Sequence, residues 1–130
     1  MTNDEIRDFL QQAIDENRVM LFMKGTPNAP ACGFSARAAG ALNALGVQYA
    51  ALDILPDQRI REELSTLSGW PTIPQLFVDQ ELVGGSDIII EMFESGELAG
   101  LLGVEQPEEI EAEPQPEPAQ RPIGLENRLD

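Results

Sequence analysis

Apolar residues recur along the first hundred positions in blocks whose period changes from segment to segment. Ile6, Phe9, Leu10, Ala13 and Ile14 fall at i, i+3, i+4, i+7 and i+8, behind Thr2 and Glu5 at capping-box spacing, and predict an amphipathic helix. VMLFM (19–23) is a continuous apolar run of strand length, the pattern of a strand buried on both faces. The Gly/Pro-rich KGTPNAPA then reads as a loop. Phe34, Ala38, Ala41, Leu42 and Leu45 describe a second helix closed by Gly46, and VQYAAL (47–52) a short strand. A third helix has Asp57 as its N-cap, Ile60, Leu64 and Leu67 on one face, and Gly69 at its end. QLFV and ELVG flank Asp79-Gln80 as a hairpin, although Asp-Gln is a poorer turn signal than Asp-Gly. Ser86 can cap a last helix built on Ile88, Ile89, Met92 and Phe93 and stopped by Gly96, and ELAGLL adds one more turn.

The order is αβαβαββα. The early β-α-β crossover implies parallel pairing, and the late hairpin adds antiparallel strands, so the prediction is an α/β domain with a small mixed sheet covered by helices.

Composition changes this picture at the C-terminus. Residues 104–130 hold eight of the 23 acidic groups and five of the ten prolines, with little apolar surface to offset the entropy of ordering a chain. The expected organisation is one domain over 1–103 and an acidic, disordered Pro/Glu-rich tail over 104–130. The net charge of -15 argues against nucleic acid as a partner, because phosphate contacts need clustered Lys and Arg. No run approaches the ~18 apolar residues of a membrane helix, and the acidic amphipathic N-terminus has neither signal-peptide nor transit-peptide character. One cysteine cannot form an internal disulfide, so a reducing cytoplasm is the expected location.

That cysteine is Cys32, in APACGFSARAAG, and the chain has no histidine. Cys32 lies where a Gly/Pro loop meets the first turn of a helix, whose free N–H groups and dipole stabilise an anion. Lys24, the single lysine, ends the preceding strand. Both effects lower a thiol pKa, and the thiolate is the form that attacks or binds metal. The alternative is a buried structural cysteine, since free Cys is among the most buried residue types; the flanking prolines and glycines argue for a loop instead. Ile73-Pro74 can be cis, turning the Ile73 backbone outward toward an extended peptide, or can be an ordinary loop proline. VGGSD (83–87) can seat a carboxylate on the N–H groups of Ser86 and Asp87, or be a plain hairpin-to-helix turn. Protease, glycosylase and phosphoryl-transfer readings lack their residues, with no histidine, phosphate loop or nucleophile elbow.

CGFS after MKGTP, followed by WPTIPQLFV and LVGGSDIIIEM, resembles the monothiol glutaredoxins of the CGFS type over about residues 5–102. The resemblance implies a thioredoxin-like fold, a four-stranded mixed sheet flanked by helices. It implies a glutathione site in which Lys24 and Arg61 hold the glycine carboxylate, the backbone of Ile73 pairs with the cysteinyl unit, and Ser86 and Asp87 take the γ-glutamyl end. Arg59 is a rival for Arg61, two residues away. Ser86 stands where CGFS-type members mostly carry cysteine, which removes any resolving thiol.

A [2Fe–2S] cluster with all-thiolate ligation needs four thiolates. One protein thiol and one bound glutathione per subunit supply two, so a symmetric dimer completes the set. The resemblance therefore implies a chain that is monomeric as apoprotein and dimeric when it holds the cluster, a carrier serving Fe–S assembly and iron homeostasis with BolA-like and client apoprotein partners. The alternative is a glutathione-dependent oxidoreductase that acts on glutathionylated proteins through Cys32 alone, with weak turnover for want of a second cysteine.

Overall fold

In the computed structural model, which describes residues 1–106, the first amphipathic stretch folds as α1 (Asn3–Glu16). Its capping box is complete: the Glu5 N–H donates to the Thr2 hydroxyl at 3.1 Å, and the Thr2 N–H to the Glu5 carboxylate at 2.7 Å. The chain continues through β1 (Val19–Met23), β2 (Gly25–Thr26), β3 (Ala29–Pro30), α2 (Gly33–Leu45), β4 (Ala50–Asp53) and α3 (Gln58–Ser68). It closes with β5 (Gln75–Val78), β6 (Glu81–Gly84), α4 (Ser86–Ser95) and α5 (Glu97–Leu102).

The main sheet has the order β4-β1-β5-β6, with β4 parallel to β1 and the other neighbours antiparallel, which is the mixed sheet predicted. Every residue of β1 is buried, because helices cover both faces of its sheet. Val19, Leu21 and Met23 join α2, α4 and α5 in one core cluster. Met20 and Phe22 join α1, Leu64 of α3, Ile73 and Phe77 in the other. Phe22 and Phe77 meet edge to face, with ring centroids 5.7 Å apart. Across the second layer, Arg7 of α1 donates two hydrogen-bond-length contacts to the nearly buried Glu63 of α3, at 2.9 and 2.8 Å.

Three local expectations change. The strand read over 47–52 begins at Ala50. Met20 stands opposite Ala50, so Val47 and Gln48 lie beyond the first residue of β1 and have no ladder partner. Val47 and Tyr49 pack on the core instead. The loop before Cys32 contains a two-stranded ribbon, pairing Gly25 with Pro30 and Thr26 with Ala29, too short to leave a periodic signature. Finally, Ser86 is the first helical residue of α4 rather than its cap; Gly85 is the N-cap, and no side chain caps it. A Cβ on Gly85 would sit 3.0 Å from the Trp70 indole nitrogen, so close packing rather than capping chemistry selects the residue there.

The hairpin between β5 and β6 turns at Asp79 and Gln80, both at positive φ (51° and 73°), the signs required by a type I′ turn. Tertiary contacts supply what glycine would have supplied locally. The Asp79 N–H donates to Arg18 O at 2.8 Å, and the Arg18 guanidinium reaches both the Asp79 carboxylate and the last carbonyls of α5, Leu101 and Leu102. Beyond α5, Val104 packs on the core and Gln106 donates to Phe93 O at 3.3 Å. The rest of the expected tail, 107–130, lies outside the described residues. Among the described residues no helix is long and apolar enough to cross a membrane.

Gly25 has φ +85°, and a Cβ there would lie 2.5 Å from Ala29 O and 2.6 Å from Ala31 N. Both are backbone atoms that cannot step aside cheaply. Gly25→Ala is therefore expected to cost about 1–3 kcal/mol, seen as a drop of about 4 °C or more in Tm. An unchanged Tm would show that the ribbon before Cys32 can relax freely.

Candidate functional site

Cys32 is the N-cap of α2, in extended conformation (φ -152°, ψ 160°). N-cap side chains usually offer an oxygen to the free N–H groups of the first turn; here the sulfur does so, accepting from the Ser35 N–H at 3.4 Å. Cys32 is half-buried, and Phe34 beside it is 59% exposed. Burial pushes the thiol pKa up, yet the net shift is downward. The Ser35 hydroxyl, the N–H groups of Ser35 and Phe34, and lastly the charge of Lys24 all favour the thiolate and outweigh the loss of solvent.

Ser35 was not among the residues singled out from the sequence. It is completely buried, and its hydroxyl accepts from the Lys24 N–H at 3.0 Å while serving the sulfur as a hydrogen-bond partner. One hydroxyl thus joins the end of β1, the start of α2 and the thiol. The available signal was the three-residue spacing from Cys32, the N-cap-to-N3 distance of a capping box. Lys24 also accepts from the Ala31 N–H at 2.9 Å, so its backbone holds both sides of the loop that delivers Cys32. At the end of β4, one Asp53 carboxylate oxygen accepts from the N–H groups of Gly25 and Leu55 (2.9 and 3.0 Å), fixing the outer side of the same loop.

The other candidates gather at this end of the sheet. Phe22 pairs with Gln75 in the antiparallel ladder, so continuing that register places Ile73 across from Lys24. The Ile73-Pro74 peptide is cis. The Ile73 side chain is anchored in the core at 8% exposure, and the loop hydrogen bonds among the described residues leave its N–H and C=O unused. Arg61 extends from α3 to this loop and donates to Pro71 O at 3.2 Å. Its rival Arg59 is committed elsewhere, to both carboxylate oxygens of Asp57 and to Met1 O. Gly85, whose ideal Cβ position is 3.5 Å from Pro74 O, brings the start of α4 against the same loop, with Ser86 and Asp87 in its first turn. The N–H groups of that turn form an anion seat that no side chain fills.

Two features bound the chemistry. Among the described residues no group of three or more His, Cys, Asp or Glu could hold a metal ion, so one subunit offers a metal a single thiolate. A surface groove of about 600 Å³ lined by Glu16, Arg18, Val19, Val47, Tyr49 and Ala50 lies at the opposite end of β1 and includes none of these residues.

The profile of the family described as glutaredoxin matches residues 19–83. The chain is 48% identical over 102 residues to the probable monothiol glutaredoxin 2 of Rickettsia typhi, covering 78% of this chain and 91% of that protein. It is 54% identical over 93 residues to glutaredoxin 4 of Escherichia coli K12, covering 72% and 81%. Against the monothiol glutaredoxin-S11 of rice, at 48% identity over 102 residues, it spans 21% of the longer protein. Among solved structures, the mature form of Trypanosoma brucei 1CGrx1 superposes with a TM-score of 0.67 at 40% identity, covering 79% of this chain and 75% of that one. Oxidized glutaredoxin 2 of Chlamydomonas reinhardtii, at 22% identity, shares the fold with a TM-score of 0.70, covering 79% of this chain and 95% of that one.

The lowered thiol pKa has a sign that can be measured. Alkylation proceeds through the thiolate, so its rate rises with pH, and the midpoint for the folded protein is expected below that of the same chain unfolded in urea. The depressed pKa stabilises the fold above the unfolded-chain value, and that contribution is lost as pH falls through the folded value. Ser35→Ala should raise the midpoint more than Lys24→Met, since the hydroxyl hydrogen bond it removes outranks the lysine charge. Ser35→Ala should also cost about 1–3 kcal/mol, because it strands the Lys24 N–H. The reverse order of midpoints would assign the thiolate to the lysine instead.

Proposed function

The chain belongs to the glutaredoxin family, as a single-thiol member of the CGFS type, and from that premise we propose that it binds glutathione beside Cys32 and, as a dimer, carries a [2Fe–2S] cluster to recipient apoproteins. The observation that carries this reading is the thiol itself: half-buried, used as a helix cap, held toward the thiolate, and without a second cysteine in the chain. An all-thiolate cluster draws four sulfurs. Two copies of Cys32 supply half, and two glutathiones supply the other half.

The residues at this end of the sheet suit glutathione part by part. Lys24 and Arg61 carry the positive charge for the glycine carboxylate. Ile73 offers a free N–H and C=O to the cysteinyl unit, in the manner of an added strand. The open N-terminus of α4 at Ser86 and Asp87 suits the γ-glutamyl carboxylate, and the Asp87 side chain suits its ammonium. Exposed Phe34 gives the rim of the thiol an apolar surface that a second subunit can cover. Recipient apoproteins and a BolA-like protein are the partners implied by the family, and a reducing cytoplasm keeps the lone thiol free.

The lowered pKa supports a second, weaker chemistry. The Cys32 thiolate attacks the glutathione sulfur of a glutathionylated protein and releases the protein as its thiolate. A second glutathione then displaces the first from Cys32 as glutathione disulfide. Ser86 provides no thiol to speed that release.

Anaerobic reconstitution with and without glutathione, followed by size-exclusion chromatography and analysis of iron and bound thiol, separates these readings. Glutathione should be required for loading, and the loaded form should elute as a dimer while the apoprotein elutes mainly as a monomer. Cys32→Ser should abolish the visible absorbance with an unchanged circular dichroism spectrum. Full loading without any low-molecular-weight thiol, or a stable loaded monomer, would falsify the scheme.

A further inference from the structure

Gln75 is the first residue of β5, directly after Pro74, and is completely buried. Its side-chain Nε2 donates to Trp70 O at 3.0 Å and to Thr72 O at 3.1 Å. Those two bonds fix the amide orientation, because exchanging its ends would set an oxygen against two carbonyls. The other end, Oε1, is buried and has no hydrogen-bond partner among the described residues. A buried acceptor without a partner costs stability, and an apolar side chain of the same length would fill the space without that cost. The amide leaves one buried polar atom unpaired while bonding two carbonyls of the 70–72 backbone, so its contribution lies in the segment that it holds.

That segment runs from Trp70 to Pro74, with Pro71 and Thr72 exposed. It is where the candidate site converges. Ile73 is pinned through its side chain on one side, Arg61 donates to Pro71 O, and the Trp70 indole lies against Gly85 at the start of α4. Gln75 ties the carbonyls on either side of Pro71 to the sheet, so the Ile73 N–H and C=O are presented by a loop held from both directions. Resting on the glutathione reading above, we infer that Gln75 is a positioning residue, a buried tether that preforms the 70–74 loop so that glutathione need not order it on binding. Ordering a loop at the moment of binding is charged against affinity. If the untethered loop is competent about a tenth of the time, apparent affinity falls about tenfold.

The test uses the full chain with Gln75→Met and, as a second apolar replacement, Gln75→Leu. Three quantities are measured: glutathione affinity by calorimetry, Tm, and amide hydrogen exchange over 70–74. The tether predicts folded variants with at most a modest loss of Tm, since both carbonyls lose their donor but Thr72 is exposed to water, together with faster exchange at 70–74 and glutathione binding weakened about tenfold. Affinity within about twofold of wild type, or failure of both variants to fold, overturns it, the latter because the residue is then simply part of the core. Absence of glutathione binding by the wild-type chain overturns the functional reading and the ligand named here with it. Unchanged exchange at 70–74 with wild-type binding intact overturns the tether alone.

Discussion

Val19, Leu21 and Met23 point into one layer of helices and Met20 and Phe22 into the other, so β1 is clamped between two separate cores. A strand held from both faces has little freedom to slide: a shift of one residue would exchange its two side-chain sets between layers. The position of its last residue is correspondingly well defined, and the thiol depends on that position. Just beyond it, the Lys24 N–H meets the buried Ser35 hydroxyl, and Ser35 in turn meets Cys32. The rigidity of the core thus reaches the sulfur through two hydrogen bonds.

The same end of the sheet gathers backbone more than side chains. Cys32 takes its anion stabilisation from the Ser35 hydroxyl and then from two N–H groups, Ile73 offers its peptide groups, and α4 offers an uncapped first turn. Backbone groups are positioned by packing, so small residues matter where elements approach closely. Gly25 folds back on Ala29, and Gly85 accepts the Trp70 indole. An acidic chain can in this way build sites for anionic groups while committing few cations to them. The charge of Lys24 is the smallest of the contributions that lower the thiol pKa, behind the hydrogen bonds of Ser35 and Phe34.

Arg18 does comparable work at the opposite end. It joins the start of β1, the turn at Asp79 and the last carbonyls of α5, three elements distant in sequence. The turn keeps two non-glycine residues at positive φ because these contacts hold it there. The two ends of β1 therefore differ in purpose: one anchors the fold and the other presents the thiol and its surroundings.

Much of this was legible from residues alone. Apolar periodicity located the four longer helices and the strands of the main sheet, because burying one face or two leaves a repeat in the sequence, while the six-residue α5 was read only as one more turn. The lone cysteine at the mouth of a helix, Ile73-Pro74, and the glycine pair before α4 marked the candidate site for a similar local reason. What the tertiary structure decided is what has no period. The start of β4 at Ala50 was set by where β1 begins, and the N-cap of α4 by the bulk of Trp70. Arg59 is held by Asp57 and Met1 while Arg61 faces the loop, a difference that their two-residue spacing does not show. Gln75 gave no sequence signal, and Ser35 only its three-residue spacing from Cys32, since a buried polar side chain is recognised by the partners it meets, and those partners come together only when the chain has folded.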